Sequence, residues 1–402
     1  MSTHGESWPP VEHESRPWTV ADSASQSQKR KHAGPYLAAV PPHIATLTPA
    51  VPASVAAAAE AAAREIISFD RDVSELWGAA EIAPMSTILL RTESASSSQI
   101  ENLTVGARQL ALAEIGVRSV RNARIVKANV DAMEAATSLA DAIETPTVLH
   151  MHQTLLQGHD PDAGHLRDQQ VWIGGSGTGP HRADFIAPHH SRVADGLTDL
   201  MAFCRRDDIP VIQQLAVAHA QFETIHPFTD GNGRTGRALL HAMIRNKRLS
   251  RRTTVPISAG LLADTDSYYD ALTSYREGDV RPIVEQLCRA TALATSNGRH
   301  LVRELHEISV DWDRRLAHLR SDAAARRLAK TLISQPAVNN AYVVSTLGTS
   351  VPGAQRAVNA LVDAGILTQT SEGTRNRVWQ APEVLEALDE FGARIRRTRH
   401  HP

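Results

Sequence analysis

The sequence predicts an all-α body, a helical bundle carrying one short β-hairpin, followed by a C-terminal winged helix-turn-helix. Three observations support this. Apolar residues recur at helical spacing in 54–69, 104–125, 128–143, 145–156 and 191–203. Gln170-Val-Trp-Ile-Gly-Gly-Ser-Gly-Thr-Gly followed by Ala183-Asp-Phe-Ile-Ala-Pro reads as two β-prone pieces around a glycine-rich turn. Residues 323–381 run helix, helix (Asn340 to Leu347), turn, helix to Ala364, glycine stop at Gly365, then strand, Glu-Gly turn and strand, the order of a winged helix.

Taken in order, residues 1–33 are polar and without period, so a disordered N-terminal arm is expected. An N-terminal helical region follows at 34–145 and a core at 146–290. Within the core, apolar residues at 211, 212, 215, 218, 222 and 225 make a helix that must stop or turn at Pro227. A second helix begins just after Gly231-Asn-Gly and runs to about Arg248. A helical connector is expected at 291–322, the winged helix at 323–385 and a solvated basic tail at 386–402. An isolated hairpin is marginal by itself, so the one at Val171 to Ile186 is expected to serve a purpose, such as clamping a bound chain along its edge.

Composition narrows the function. The 402 residues carry 42 basic and 44 acidic side chains, for a formal net charge of −2. No global field draws the chain onto nucleic acid or an anionic membrane, so partners must come from local sites. Cys204 and Cys288 belong to no metal-ligand spacing and read as reduced core residues. With neither a signal-like segment nor a run of about 20 apolar residues, a cytoplasmic protein without membrane contact is expected.

Chemistry concentrates in His226-Pro-Phe-Thr-Asp-Gly-Asn-Gly-Arg-Thr-Gly-Arg237. Gly231, Asn232 and Gly233 stand just before a helix, where free N–H groups and the helix dipole make an anion cradle. Asp230 offers a hard carboxylate oxygen suited to Mg²⁺. Arg234 and Arg237 can fork phosphate oxygens, and His226 can be neutral near pH 7 and accept a proton. A base, a metal ligand, an anion nest and two arginines are the parts of a phosphoryl- or nucleotidyl-transfer site.

At this spacing the segment resembles the signature of the Fic (filamentation induced by cAMP) family, His-Pro-Phe-x-Asp/Glu-Gly-Asn-Gly-Arg-x-x-Arg, with every fixed position matched. The resemblance implies a Fic helical bundle with a β-hairpin flap and a protein adenylyltransferase that uses ATP and Mg²⁺. It implies that His226 deprotonates a target hydroxyl, Asp230 holds Mg²⁺ and Phe228 anchors the loop. Gly231, Asn232, Gly233, Arg234, Thr235 and Gly236 would line the phosphates, with Asn232 on the α-phosphate and Arg237 on the γ-phosphate. Trp172, Ile173, Gly174 and Gly175 would belong to the flap, and Tyr268 and Tyr269 would close over adenine and ribose or else be core aromatics. Ser97-Ser-Gln-Ile-Glu-Asn102 fits the family's inhibitory pattern, in which Glu101 takes Arg237 away from the γ-phosphate. The implied partners are ATP, a hydroxyl-bearing protein and the chain itself, either as a target or as a second subunit.

Two rival readings use other chemistry. His219, Glu223 and His226 fall at i, i+4 and i+7, near ligand spacing for zinc or iron. The winged helix suggests DNA, through Gln355, Arg356, Asn359, Arg375 and Arg377. Few basic groups are offered there and Asp363 opposes them, so a protein-interaction module is the stronger reading, with DNA left open.

Overall fold

The computed structural model describes residues 8–20, 25–117, 120–175, 179–370 and 377–398. The chain begins with strand β1 (Glu12–Arg16), helix α1 (Gln26–Lys31), strand β2 (Tyr36–Val40), the long helix α2 (Ala53–Ile100), α3 (Ala107–Glu114), α4 (Arg121–Ser138) and α5 (Thr145–Leu156). Strands β3 (Trp172–Ile173) and β4 (Phe185–Ile186) precede α6 (Val193–Cys204), α7 (Val211–Ile225), α8 (Asn232–Asn246), α9 (Ile257–Leu262), α10 (Thr265–Arg276) and α11 (Arg281–Arg315). The last elements are α12 (Ala324–Ser334), β5 (Ala337–Asn339), α13 (Asn340–Leu347), α14 (Val351–Asp363), β6 (Thr368–Gln369), β7 (Val378–Gln380) and α15 (Pro382–Thr398). The fold is helical, and every strand among the described residues is five residues or shorter. Among those residues no helix is long and apolar enough to cross a membrane.

The chain divides into two interleaved units rather than six consecutive segments. One comprises Met1–Ala63, Ala135–Lys247 and Asp266–Cys288; the other comprises Arg64–Glu134, Arg248–Thr265 and Arg289–Pro402. Helices ignore the expected boundaries. Helix α11 runs unbroken through position 290, where a connector was expected to begin.

In the first unit α7 is the central element, buried at every position from Ile212 to Ile225. Its buried polar side chains therefore need partners inside the protein. The Gln214 amide closes the end of α6, donating to the carbonyls of Phe203 (2.8 Å) and Arg206 (2.8 Å). Gln221 donates to Pro42 O and accepts from Tyr275 Oη, each at 2.8 Å. Cys204 is free and buried, and burial pushes its thiol up to about 12, so it is an inert core residue.

The expected disordered arm is corrected over most of its length. β1 pairs antiparallel with β2, from Glu12 opposite Val40 to Arg16 opposite Tyr36. Trp8 is buried and packs on Tyr275 at 6.0 Å, and Trp18 meets Tyr36 and Trp172 edge-on. A few large aromatic rings supply the apolar area that the polar composition of the segment conceals. Residues 1–7 and 21–24 lie outside the described part.

In the second unit α2 kinks at Gly78, which has φ 68°. The helix expected at 104–125 is two, because Gly116 turns the chain at φ 71° between α3 and α4. α12, α13 and α14 pack beside a small sheet of order β5-β7-β6, with Asn339 capping α13 and Ser350 capping α14. The expected wing turn, with Glu372, Gly373 and Arg375, lies outside the described residues. The tail at 386–402 is corrected as far as 398, since it is part of α15 and buries Ala387, Phe391 and Ile395.

Candidate active site

The loop between α7 and α8 is held from three directions. His226 ends α7 in the left-handed region at φ 50°, where Pro227 bars further helix. Phe228 is fully buried and stacks on the His152 ring at 3.6 Å with 5° between planes. The Asn232 amide braces the loop, accepting from Phe228 N and donating to Phe228 O, both at 2.9 Å. The Asn232 side chain thus serves the loop's own backbone. Gly231 opens α8 at φ 72°, a conformation that strains any residue with a side chain, and a Cβ there would lie 3.0 Å from Leu155 Cδ2.

His152 belongs to the same support. Its Nδ1 accepts from Gly164 N at 2.9 Å, so the ring proton sits on Nε2 and donates to Asp230 O at 3.1 Å. Burial lowers its pKa and keeps this neutral tautomer. The Asp230 side chain remains two-thirds exposed, 3.5 Å from Arg234 Nη2, with Oδ1 accepting from Gly231 N at 2.6 Å. It is the hard oxygen at the mouth of the α8 N-terminus.

His226 is half-buried, and its Nδ1 has no hydrogen-bond partner among the described residues. Burial, and next the Arg167 charge, hold its pKa at about 3, so the ring is neutral and able to take a proton. Arg167 is a residue the sequence reading missed. It is 4% exposed and donates to His226 O (2.7 Å), Pro188 O (2.7 Å), Gln169 O (2.9 Å) and Ile225 O (3.3 Å). One guanidinium thereby ties the α7–α8 loop to both ends of the hairpin.

Behind the loop lies a buried ionic cluster. Arg234 and Arg237 are buried, as are Glu223 and His219. His219 Nε2 is 2.8 Å from Tyr268 Oη, and burial with the Arg237 charge lowers its pKa to about 3. Burial pushes the Tyr268 hydroxyl up, and Glu223 adds to that shift. Arg276 is lowered to about 10 by burial, with Glu223 opposing the fall, and its guanidinium lies 3.7 Å over the Phe185 ring of β4. Tyr268 is therefore core, while Tyr269 is half exposed. Gly236 packs closely on α7, because a Cβ there would lie 2.8 Å from Phe222 Cδ1. Thr235 is buried beside it.

The hairpin forms with Trp172 opposite Ile186 and Ile173 opposite Phe185. Gly174 and Gly175 turn at φ 75° and 71°, and a Cβ on Gly174 would lie 1.9 Å from Asp184 Oδ2. Residues 176–178, at the tip, lie outside the described part. The zinc or iron reading fails on geometry, because the left-handed φ of His226 takes it off the face that His219 and Glu223 share. Among the described residues no three of His, Cys, Asp or Glu are grouped to hold a metal. Ser97 and Glu101 belong to the other unit, with Ser97 fully buried in the last turn of α2 and Glu101 just beyond it. The next residue, Asn102, sits at φ 62°, a conformation open mainly to Gly and Asn, which gives the final position of the Ser-x-x-x-Glu-Gly/Asn pattern a backbone reason.

Residues 142–244 match the model of the Fic/DOC family. They form a Fic domain. The relatives similar to it include protein adenylyltransferase fic-1 of Caenorhabditis elegans, 31% identical over 150 residues, which is 37% of this chain and 27% of that one. Protein adenylyltransferase Fic of Aedes aegypti is 31% identical over 153 residues, 38% of this chain and 28% of that one. The chain thus spans just over a quarter of the length of these curated relatives. A solved Fic family protein from Desulfovibrio desulfuricans G20 shares the fold, with TM-score 0.52 at 23% identity, covering 83% of this chain and 98% of that one.

Proposed function

We propose that the Fic domain is a protein adenylyltransferase, which moves AMP from ATP to a Ser, Thr or Tyr hydroxyl of a protein. The observation that carries the proposal is a neutral, acceptor-ready imidazole at His226 beside a glycine-shaped helix N-terminus with Arg234 and Arg237 close behind. The target oxygen attacks the α-phosphorus, the bond to the pyrophosphate oxygen breaks, and the hydroxyl proton passes to His226. The main-chain N–H groups at 231–234 seat the phosphates, and Arg237 meets the γ-phosphate. Asp230, exposed and acidic, would hold Mg²⁺, which supplies positive charge against the pyrophosphate. The open edge of the hairpin would take the target as an added strand, and the exposed Tyr269 would meet the base or ribose. The reading includes restraint by Glu101, which would compete with the γ-phosphate for Arg237.

Mass spectrometry after incubation with Mg-ATP tests this reading. A mass increase of one AMP on the chain or on an added protein is expected, and His226→Ala should abolish it while ATP binding persists. A variant that kept most of the transfer would remove His226 from the mechanism.

A further inference from the structure

The second unit holds a cavity of about 240 Å³ that the chemistry above does not use. Its walls are one face of α2, the chain around Leu110, and one face of α15. Leu110, Leu388, Phe391 and Ile395 make an apolar lining, and the walls also include the charged residues Arg91, Asp389 and Arg396. Gly392 widens the cavity. It is a poor residue for a helix interior, yet no backbone crowds it, since a Cβ there would meet only Arg396 Nη1 at 3.6 Å. The Arg396 guanidinium therefore lies over Gly392 at the cavity wall, exposed and without an acidic partner among the described residues. A second cation lines the same space. Arg91 is engaged through Nη2 with Glu114 and Gln335, which leaves Arg396 as the cation on this wall without an acidic partner among the described residues. Asp389, the acid on this wall, is occupied by Ala107 N at 3.3 Å.

We propose that this cavity is a binding site for a small amphipathic carboxylate, with its apolar body against Phe391 and Leu388 and its head at Arg396. The volume admits an apolar body of about eight non-hydrogen atoms, at roughly 30 Å³ each, with the carboxylate oxygens outside it at the exposed Arg396. Apolar walls with a few convergent polar groups are the usual make-up of such a site. The head group is an anion because Arg396, exposed and without an acidic partner among the described residues, offers charge-assisted N–H donors at the edge of the apolar lining.

The site also bears on Glu101. At about 100° per residue, Thr92, Ala95 and Gln99 lie within roughly 40° of Ile88 around α2, all facing the cavity, while Ser97 lies about 180° away. A ligand in the cavity presses on the helix face opposite the one that carries Ser97 and leads to Glu101. This effect on activity rests on the autoinhibitory reading, whereas the binding site does not.

The full chain is titrated calorimetrically with octanoate, phenylacetate and 1-octanol, and its thermal unfolding is followed with each. Saturable binding of the two carboxylates is expected, with a rise in Tm of about 2 °C at ten times Kd. Octanol should bind at least about tenfold more weakly, the value of one lost charge-assisted contact. Gly392→Leu, which fills the cavity, should abolish binding, and Arg396→Gln should bring octanoate down to the level of octanol. No saturable carboxylate binding by about 5 mM, or binding unchanged in Gly392→Leu, overturns the site. Octanoate should also change self-modification by the wild type about threefold or more and leave Glu101→Gly unaffected. Binding without that change keeps the site and overturns the coupling. An inactive or unstimulated Glu101→Gly overturns the autoinhibitory reading and leaves the binding result standing.

Discussion

His226 and His219 are held in the neutral form by burial, each with a pKa near 3 against an ordinary value of about 6.5. The sign of the pH effect follows from where protons bind. Between about pH 6.5 and 3 the unfolded chain takes up protons that the folded chain refuses, so stability is complete above pH 6.5 and is lost as pH falls toward 3. Tm measured from pH 7.5 to 4 should fall steadily, and the fall should be shallower in His219→Gln, which can keep a hydrogen bond to Tyr268. Equal slopes in the two proteins would remove His219 from the account. The same protection leaves His226 unprotonated and able to act as a base well below neutral pH. The size of these shifts and the part played by His219 could not be read from the sequence, where each histidine is one letter on a helical pattern.

At the scale of elements, the loop after α7 and the β3–β4 hairpin share one fastener. Arg167 serves carbonyls from 169, 188, 225 and 226, so the base of the hairpin and the backbone of His226 move together. A lysine carries the charge but not the fork, and cannot serve these carbonyls at once. Arg167→Lys should cost about 2 kcal/mol, seen as a fall in Tm of roughly 4–8 °C, from carbonyls left without donors. It should also lower the rate of AMP transfer more than ATP affinity, because the phosphate seat on α8 is untouched. An unchanged Tm by calorimetry would show that the clamp is dispensable. The hairpin itself was legible from its glycines and β-prone residues. Its fastener was not, since an arginine's partners here are backbone carbonyls, which have no letter in a sequence.

At the scale of the molecule, the motif and the segment Ser97 to Asn102 are far apart in sequence and belong to different units. On the proposed restraint of Arg237 by Glu101, a partly desolvated ion pair would couple by roughly 1.5–3 kcal/mol, so Glu101→Gly should raise AMP transfer about ten- to hundredfold. Adding Arg237→Ala should then leave the double variant inactive, which rates of self-modification will show. Wild-type or lower transfer in Glu101→Gly, with ATP binding unchanged, would discard the inhibitory role while leaving the His226 to Arg237 assignment in place. The interleaving of the units explains why the expected linear domains failed. α11 and α15 each run through a boundary that composition seemed to mark, because a helix continues wherever its buried face does, whatever the local mix of residues.

The sequence by itself determined the helical class, the loop and the chemistry the loop can perform. Those depend on neighbours within twelve residues: a proline that ends a helix, a glycine that must sit at positive φ, and the N–H groups that a helix start exposes. Only the tertiary structure decided that Asn232 and Gly236 serve backbone and packing, that Tyr268 is core while Tyr269 is exposed, and that Trp8 and Trp18 order an arm of polar composition. It alone also placed Arg167, Glu223 and Arg276 around the site and opened the cavity beside Gly392. The physical reason is common to all of these. Burial, pKa and the space around a side chain are set by groups distant along the chain, and one-dimensional spacing carries no record of them.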